Sequence, residues 1–265
     1  MVSVLVLRAA GINCDYESLH AFEVAGADRV DHIHLNEFIA HRERLDRYDI
    51  LVLSGGFSYG DDISGGKVLA NELLYRLMDD VNRFVEDGKL IIGICNGFQV
   101  LMKMGLLPQT KAGIREQEAT VFYNDSGKFE CRWVHLARNE DSPCVFTRSM
   151  PDTIYVPVAH AEGKVVARSQ EVLADLKSGG HVALRYTDPA LQDETGTVPY
   201  PACPNGSVDA IAGLCDGSGR IFGLMPHPER FIHRTQHPSW TRQPAAREPD
   251  GLHIFRNAVD FVRAH

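Results

Sequence analysis

The sequence predicts an α/β protein: a mostly parallel, doubly wound sheet flanked by helices, with β-rich additions in its second half. Three observations lead there. Short apolar runs alternate with helix-periodic stretches through the first hundred residues, the pattern of βαβ units. From about Gln117 onward, strand-like apolar segments dominate. A chain of 265 residues, 44% hydrophobic and 23% charged, is an ordinary globular composition. At that length roughly three quarters of the unfolded chain's surface can be buried, enough for a core without disulfides or a structural metal.

The elements follow in order. Residues 2–7 read as a buried first strand, and a helix follows Asp15 with Leu19, Phe22 and Val24 on its apolar side. Residues 30–35 and 50–53 are the next strands. One long helix is expected over 67–87, because Leu69, Leu73, Leu77, Val81 and Phe84 recur at spacings of three and four and Gly88 is placed to end it. Residues 90–94 make the fourth strand. The second half reads as strands at 119–123, 128–136, 154–158, 165–167, 182–187, 210–215 and 220–225. The last two form a hairpin across the Asp216-Gly-Ser-Gly219 turn. An amphipathic helix over 252–262 closes the chain, and 188–207 and 233–250, rich in Pro, Gly and polar side chains, are long loops. No repeat or low-complexity linker divides the sequence, so one domain over 1–265 is expected.

Charge and cysteine usage exclude several classes. With 27 Lys+Arg against 35 Asp+Glu, net −8, the chain offers phosphate polymers no general attraction, so no nucleic-acid partner is expected. The six cysteines show no C-x-x-C and no zinc-like pairing, so neither a disulfide framework nor a metal site is expected. No apolar run approaches the ~18 residues of a membrane span, and Met1-Val-Ser-Val-Leu lacks a basic leader; a cytoplasmic protein away from membranes is expected. Two decoys are set aside. Gly60 to Lys67 is one residue too long for a phosphate loop, with Val68 where its Ser/Thr belongs. His233 and His237, spaced like metal ligands on a helix, lie beside Pro238 in loop-like sequence and read as solvated histidines.

Gly93, Cys95 and Gly97 form Gly-x-Cys-x-Gly between the fourth strand and a helix start. A nucleophile on so sharp a turn is strained and exposed, and the flanking glycines remove side chains that would collide. The helix's first N–H groups favour a thiolate there. A small buried hydrophobe is the plainer reading, and the one that fits Cys14, Cys131, Cys144, Cys203 and Cys215. Among twelve histidines the best base is His227, directly after the last strand. Pro228 biases it toward extended backbone, where Glu229 two residues on shares its side and can orient the imidazole. Gly55-Gly56-Phe57 follows the third strand; an N–H of Gly56 or Phe57, with that of Asn96, is placed to make an oxyanion hole. Sequence alone does not bring 227 to 95.

Gly93-x-Cys95-x-Gly97-x-Gln99, the Gly55-Gly56 turn and His227-x-Glu229 together resemble the class I (triad) glutamine amidotransferase family. The stretches Leu5 to Asp15, Gly55 to Asp61, Gly93 to Gln99, Ala159-His-Ala-Glu-Gly163 and Gly223 to Arg230 are similar, in order, to the glutaminase subunits of phosphoribosylformylglycinamidine synthase. Ala10, Ile12 and Ser54 depart from the pattern without removing a catalytic atom. The resemblance implies a flavodoxin-like sheet and glutamine hydrolysis through a Cys95 thioester, with His227 and Glu229 completing the triad and Gln99 contacting the substrate. It implies a synthetase subunit as partner, with a small third subunit in some organisms. That synthetase takes up the ammonia and carries the ATP and Mg, this chain holding no cofactor. Other readings are another class I amidotransferase, a glutaminase acting alone, a cysteine hydrolase on a similar sheet, and a catalytically silent partner-docking protein. Intact Cys95, His227 and Glu229 argue against silence.

Overall fold

A computed structural model describes residues 1–40, 45–111, 116–190, 198–244 and 248–265. Its first half contains β1 (Ser3–Arg8), α1 (Asp15–Val24), β2 (Arg29–His34), α2 (Leu35–Ala40), β3 (Ile50–Leu53), α3 (Lys67–Arg76), α4 (Met78–Glu86), β4 (Leu90–Ile94) and α5 (Asn96–Lys103). The second half contains β5 (Ala119–Tyr123), β6 (Glu130–Arg138), β7 (Thr153–His160), β8 (Glu162–Ala167), α6 (Gln170–Ser178), β9 (Val182–Thr187), β10 (Ile211–Cys215), β11 (Ile221–Leu224) and α7 (Leu252–Ala264).

Both halves contribute to one nine-stranded sheet of order β2-β1-β3-β4-β11-β10-β9-β6-β7, with β5 and β8 pairing separately. Strands β2, β1, β3, β4 and β11 run parallel, and the rest of the sheet continues antiparallel through the β10–β11 hairpin. The burial patterns follow from this division. Strands β3, β4 and β11 are buried along their whole length, as parallel strands covered on both faces must be, whereas β7 alternates between buried and partly exposed positions. Helix α1 packs on α7, where Phe22 meets Phe255 edge to face at 5.0 Å, and α3 packs on α5.

Register fixes where the functional loops emerge. Leu53 lies beside Gly93, and Gly93 beside Gly223, so the chain beyond β3, β4 and β11 leaves the sheet at one edge. The strand order also reverses about β1, whose neighbours are β2 and β3, and crevices at such switch points bind ligands.

The structure departs from the sequence reading in several elements. The expected long helix is two, because Leu77 leaves helical geometry at φ −131° and ψ 7°. Its N–H still bonds the Leu73 carbonyl and its own carbonyl accepts from Val81, both at 2.9 Å, so the apolar stripe continues while the axis turns. The short α2 takes over from β2 at Leu35, a residue that the sequence pattern assigns to the strand. Helix α6 lies where no element is expected; Ser169 caps it by accepting from the Val172 N–H at 3.2 Å, and Val172 and Leu176 are its buried residues. Strand β6 begins at Glu130, two residues later than expected.

Helix α5 sits directly on the strands because glycines line its approach. A Cβ on Gly97 would stand 1.8 Å from the Leu53 carbonyl oxygen, and one on Gly93 would stand 2.6 Å from the Gly97 carbonyl oxygen. Gly97→Ala is therefore expected to destabilise the protein by about 3 kcal/mol or more, as overpacking against backbone does at the severe end. Urea denaturation measures this, and a midpoint equal to that of the parent would contradict the packing described.

Candidate active site

Cys95 occupies the junction of β4 and α5 with φ 51° and ψ −106°. A β-carbon in that region costs of order 1–3 kcal/mol, sustained only when the surroundings hold it. Here they do: its N–H bonds the Leu224 carbonyl at 2.8 Å, and its carbonyl accepts from the Gln99 N–H at 3.1 Å. The side chain is thereby turned out of the strand and stands at the N-terminus of α5, its sulfur 3.8 Å from the Ala159 carbonyl oxygen.

His227 and Glu229 leave the neighbouring strand, β11. The His227 N–H is held by the Pro157 carbonyl at 2.8 Å. Nδ1 meets Glu229 Oε1 at 2.5 Å, with both residues buried. A carboxylate can only accept, so Nδ1 carries the proton and Nε2 is turned to the other side of the ring. Nε2 makes no ordinary hydrogen bond among the described residues. Burial works against charge on this imidazole, but Glu229, then the Cys95 and Cys14 sulfurs, more than offset it and hold His227 well above the usual histidine range. The pairing does not come from the extended backbone expected at His227, which stands at φ −108° and ψ 84°. Pro228–Arg230 form one turn of 3-10 helix, which folds Glu229 back toward the ring.

The Gly55-Gly56-Phe57 segment faces the turn after β1. Ile12 and Gly56 form an isolated antiparallel bridge; the Gly55 carbonyl accepts from Asn13 and Cys14, and Phe57 N–H donates to Gly11 at 2.9 Å. That last bond removes Phe57 from the oxyanion candidates. Gly56 N–H makes no backbone hydrogen bond among the described residues. Its φ of 144° demands glycine, and a Cβ there would stand 2.7 Å from the Gly11 carbonyl oxygen. Gly56, with Asn96 in the first turn of α5, is the remaining donor pair. The Asn96 side chain ties the two walls together, accepting from Ser58 N–H at 3.2 Å and donating to Asp61 Oδ1 at 3.0 Å and Gln99 Oε1 at 2.9 Å. Gln99 Nε2 donates to the Glu162 carbonyl at 2.7 Å. Both ends of the Gln99 amide are thus engaged within the protein, and it braces the site wall.

Two residues without an assigned role in the sequence reading stand close by. Cys14, expected to be a structural thiol, lies against His227 and Glu229: its sulfur, a His227 ring nitrogen and a Glu229 oxygen are within 4.8 Å of one another. Those are donor types for a thiophilic cation. Arg230 Nη2, however, already donates to the same sulfur at 3.0 Å, so a cation there would meet a fixed positive charge. Cys14 lies in the Leu5 to Asp15 stretch, but nothing local shows its role, because its neighbours come from the other end of the chain. His160 belongs to the Ala159-His-Ala-Glu-Gly163 stretch and has a visible signal. Its Nδ1 meets Asn124 Oδ1 at 3.1 Å, an oxygen that also accepts from Gly163 N–H, so Nδ1 is the protonated nitrogen. Asn205, from the long loop over 188–207, donates to the Gly163 carbonyl at 2.8 Å and supports this wall. Residues 191–197 of that loop, and 245–247 of the loop over 233–250, lie outside the described residues. His237 is not solvated as expected but packs with Trp133, Tyr155 and Phe231.

Burial first, and then the charge of His227, lower His160 to about 3 from the ordinary 6.5. The unfolded chain therefore binds this proton before the folded one does, and stability is lost as pH falls between about 6.5 and 3. His160→Gln, which keeps a donor for Asn124, is expected to flatten that acid decline. Urea midpoints measured from about pH 7 to about pH 4 check it, and an equally steep decline in the variant contradicts it.

The family profile of the CobB/CobQ-like glutamine amidotransferase domain matches residues 1–262. The chain is 49% identical to the phosphoribosylformylglycinamidine synthase subunit PurQ of Dehalococcoides mccartyi, over 99% of this chain and 98% of the relative. It is 42% identical to the PurQ subunit of Methanococcus maripaludis, over 97% of this chain and 96% of that one. Among solved structures, that of PurLQS from Thermotoga maritima superposes with a TM-score of 0.73 at 31% identity, covering 98% of this chain and 99% of the matched chain. With a cysteine elbow, a buried histidine–glutamate pair and full-length similarity of this order, the chain belongs to the CobB/CobQ-like glutamine amidotransferase family.

Proposed function

We propose that this chain is the glutaminase subunit of a phosphoribosylformylglycinamidine synthase, acting as one domain over its 265 residues. The observation that carries the reading is Cys95, held in left-handed geometry at the head of α5 next to the strand that delivers the buried His227–Glu229 pair. Nearly full-length identity to PurQ subunits supports the choice among amidotransferases.

The chemistry follows from the placement. Cys95 gives its proton to His227 and its sulfur attacks the side-chain amide carbon of glutamine, and the carbonyl oxygen takes up the charge facing the N–H groups of Gly56 and Asn96. His227, carrying a proton on each ring nitrogen at this stage, gives one to the departing amide nitrogen, and the C–N bond breaks to leave a γ-glutamyl thioester and ammonia. The now neutral imidazole takes a proton from water, whose oxygen attacks the thioester; the C–S bond breaks, glutamate leaves, and His227 returns the proton to the Cys95 sulfur. Glu229 stays an acceptor throughout and keeps the ring oriented.

Ammonia released into water at neutral pH becomes ammonium and loses its nucleophilic lone pair, so it must be handed on. The receiver is a synthetase subunit that uses ATP and Mg to convert formylglycinamide ribonucleotide to the amidine in purine biosynthesis, with a small third subunit in some assemblies. This chain supplies no cofactor of its own. Among the described residues no helix is long and apolar enough to cross a membrane.

The test is the reconstituted complex with ATP, Mg and formylglycinamide ribonucleotide. Cys95→Ala is expected to lower glutamine-dependent synthesis by about 10³-fold or more, the scale of losing a nucleophile, while ammonium-dependent synthesis persists. If the parent complex made amidine from ammonium but never from glutamine, the assignment would be wrong.

A further inference from the structure

The site is assembled from two sides of β4. The base pair His227–Glu229 comes from the chain after β11, and the Gly56 donor from the chain after β3, with Cys95 just beyond the end of the strand between them. Nothing in the parallel ladder itself ties those two loops together above the edge of the sheet. A link between them comes from a third loop, the turn between β1 and α1.

Cys14 ends that turn, at the N-cap position of α1, and is 1% exposed. Its N–H donates to the Gly55 carbonyl at 3.1 Å, fastening it to the segment that carries Gly56. Its sulfur accepts from Arg230 Nη2 at 3.0 Å and lies 3.2 Å from Asn13 Oδ1, to which the S–H donates. Arg230 is the residue after Glu229, in the same single turn of 3-10 helix, and its N–H returns to the His227 carbonyl at 3.2 Å. The gap between the three side chains is the missing side chain of Gly55. A Cβ there would stand 2.8 Å from His227 Cε1, 3.3 Å from Cys14 Sγ and 3.4 Å from Cys95 Cβ.

We propose that Cys14 is a positioning residue of the glutaminase centre: gripped by Arg230, it clamps the turn carrying His227 and Glu229 onto the loop carrying Gly56, so that base and oxyanion donor keep one register across Cys95. The proposal rests on the glutaminase reading above. Sulfur suits the position because it is large and polarizable, filling the space against the imidazole edge while accepting a charged donor. Misplacing a reacting group by about 1 Å can cost about a hundredfold in rate, so a clamp acting only through geometry has measurable consequences.

The proposal predicts a loss in turnover rather than in substrate affinity. In the reconstituted complex, Cys14→Ala should lower kcat for glutamate release about tenfold to a hundredfold with KM within about twofold. Ammonium-dependent synthesis should be unchanged, and Cys14→Ser should recover most of the loss. Arg230→Gln, which leaves the core untouched, should reproduce the Cys14→Ala loss, and the double variant should be no slower than either single one, since both break the same contact. The groups around His227 are Glu229, Cys95, Cys14, Arg230 and His160; of these Glu229 first, and then the Cys95 and Cys14 sulfurs, favour the imidazolium. Removal of the Cys14 sulfur should therefore move the alkaline limb of the kcat profile, where the proton donor is lost, to lower pH. A Cys14→Ala complex with kcat within about twofold of the parent, a loss confined to KM, multiplying losses in the double variant, or failure of ammonium-dependent synthesis would each overturn the clamp. A parent complex that released no glutamate would overturn the glutaminase reading and this proposal together; an active parent with an unaltered variant would overturn this proposal alone.

Discussion

The structure is organised around one strained residue. Cys95 must sit at φ 51° to turn its sulfur out of the sheet, and everything in contact with that corner is shaped to allow it. Gly93 and Gly97 clear the space on either side, Gly223 on the adjacent strand leaves room for Phe98, and backbone bonds to Leu224 and Gln99 hold the corner closed. A nucleophile placed this way needs no mobile loop. It is carried by the most deeply buried strands of the sheet, which fix it to the precision that proton transfer requires.

That rigidity determines how the remaining groups are recruited. Each comes from the chain just beyond a parallel strand, and the register of β3, β4 and β11 places them at one edge. Burying His227 with Glu229 removes both from water, which would penalise either charge alone; their short contact and the sulfurs alongside make the pair tenable. The same burial depresses His160, so two histidines in neighbouring positions carry opposite tendencies. One favours the imidazolium beside a carboxylate, and the other stays neutral against an amide. The difference lies in the partner at Nδ1, in the sulfurs beside His227, and in the charge of His227 that His160 feels.

The polar residues behind the elbow act as struts. Asn96 and Gln99 spend their side-chain hydrogen bonds on Ser58, Asp61, Glu162 and each other, joining α5 to the loop after β3 and to the start of β8. Such residues look like substrate ligands in a sequence, since they are polar and follow a nucleophile on the same helix face. Their bonding places them in the frame, and the donors left over for an oxyanion are backbone groups of Gly56 and Asn96.

Local patterns were enough for the sequence to determine the α/β class, the buried parallel strands, the β10–β11 hairpin and the elbow, because each depends on residues within a few positions of one another. Gly-x-Cys-x-Gly marks a strained turn wherever it folds, and a glutamate two residues after a histidine is a pairing the chain can make alone. Local patterns also mislead where a neighbour's effect is tertiary: the apolar spacing of 67–87 is continuous, yet the axis breaks at Leu77. Helix α6 escapes a reading by apolar spacing although Ser169 marks its start. Only the tertiary structure decided that His227 meets Cys95, that Phe57 is already bonded to Gly11, and that Cys14 stands beside the triad and not apart from it. The reason is physical. Those contacts join segments some 40 to more than 200 positions apart, and they exist because parallel strands in register bring distant loops to the same edge, a property of the assembled sheet that no short stretch of sequence contains.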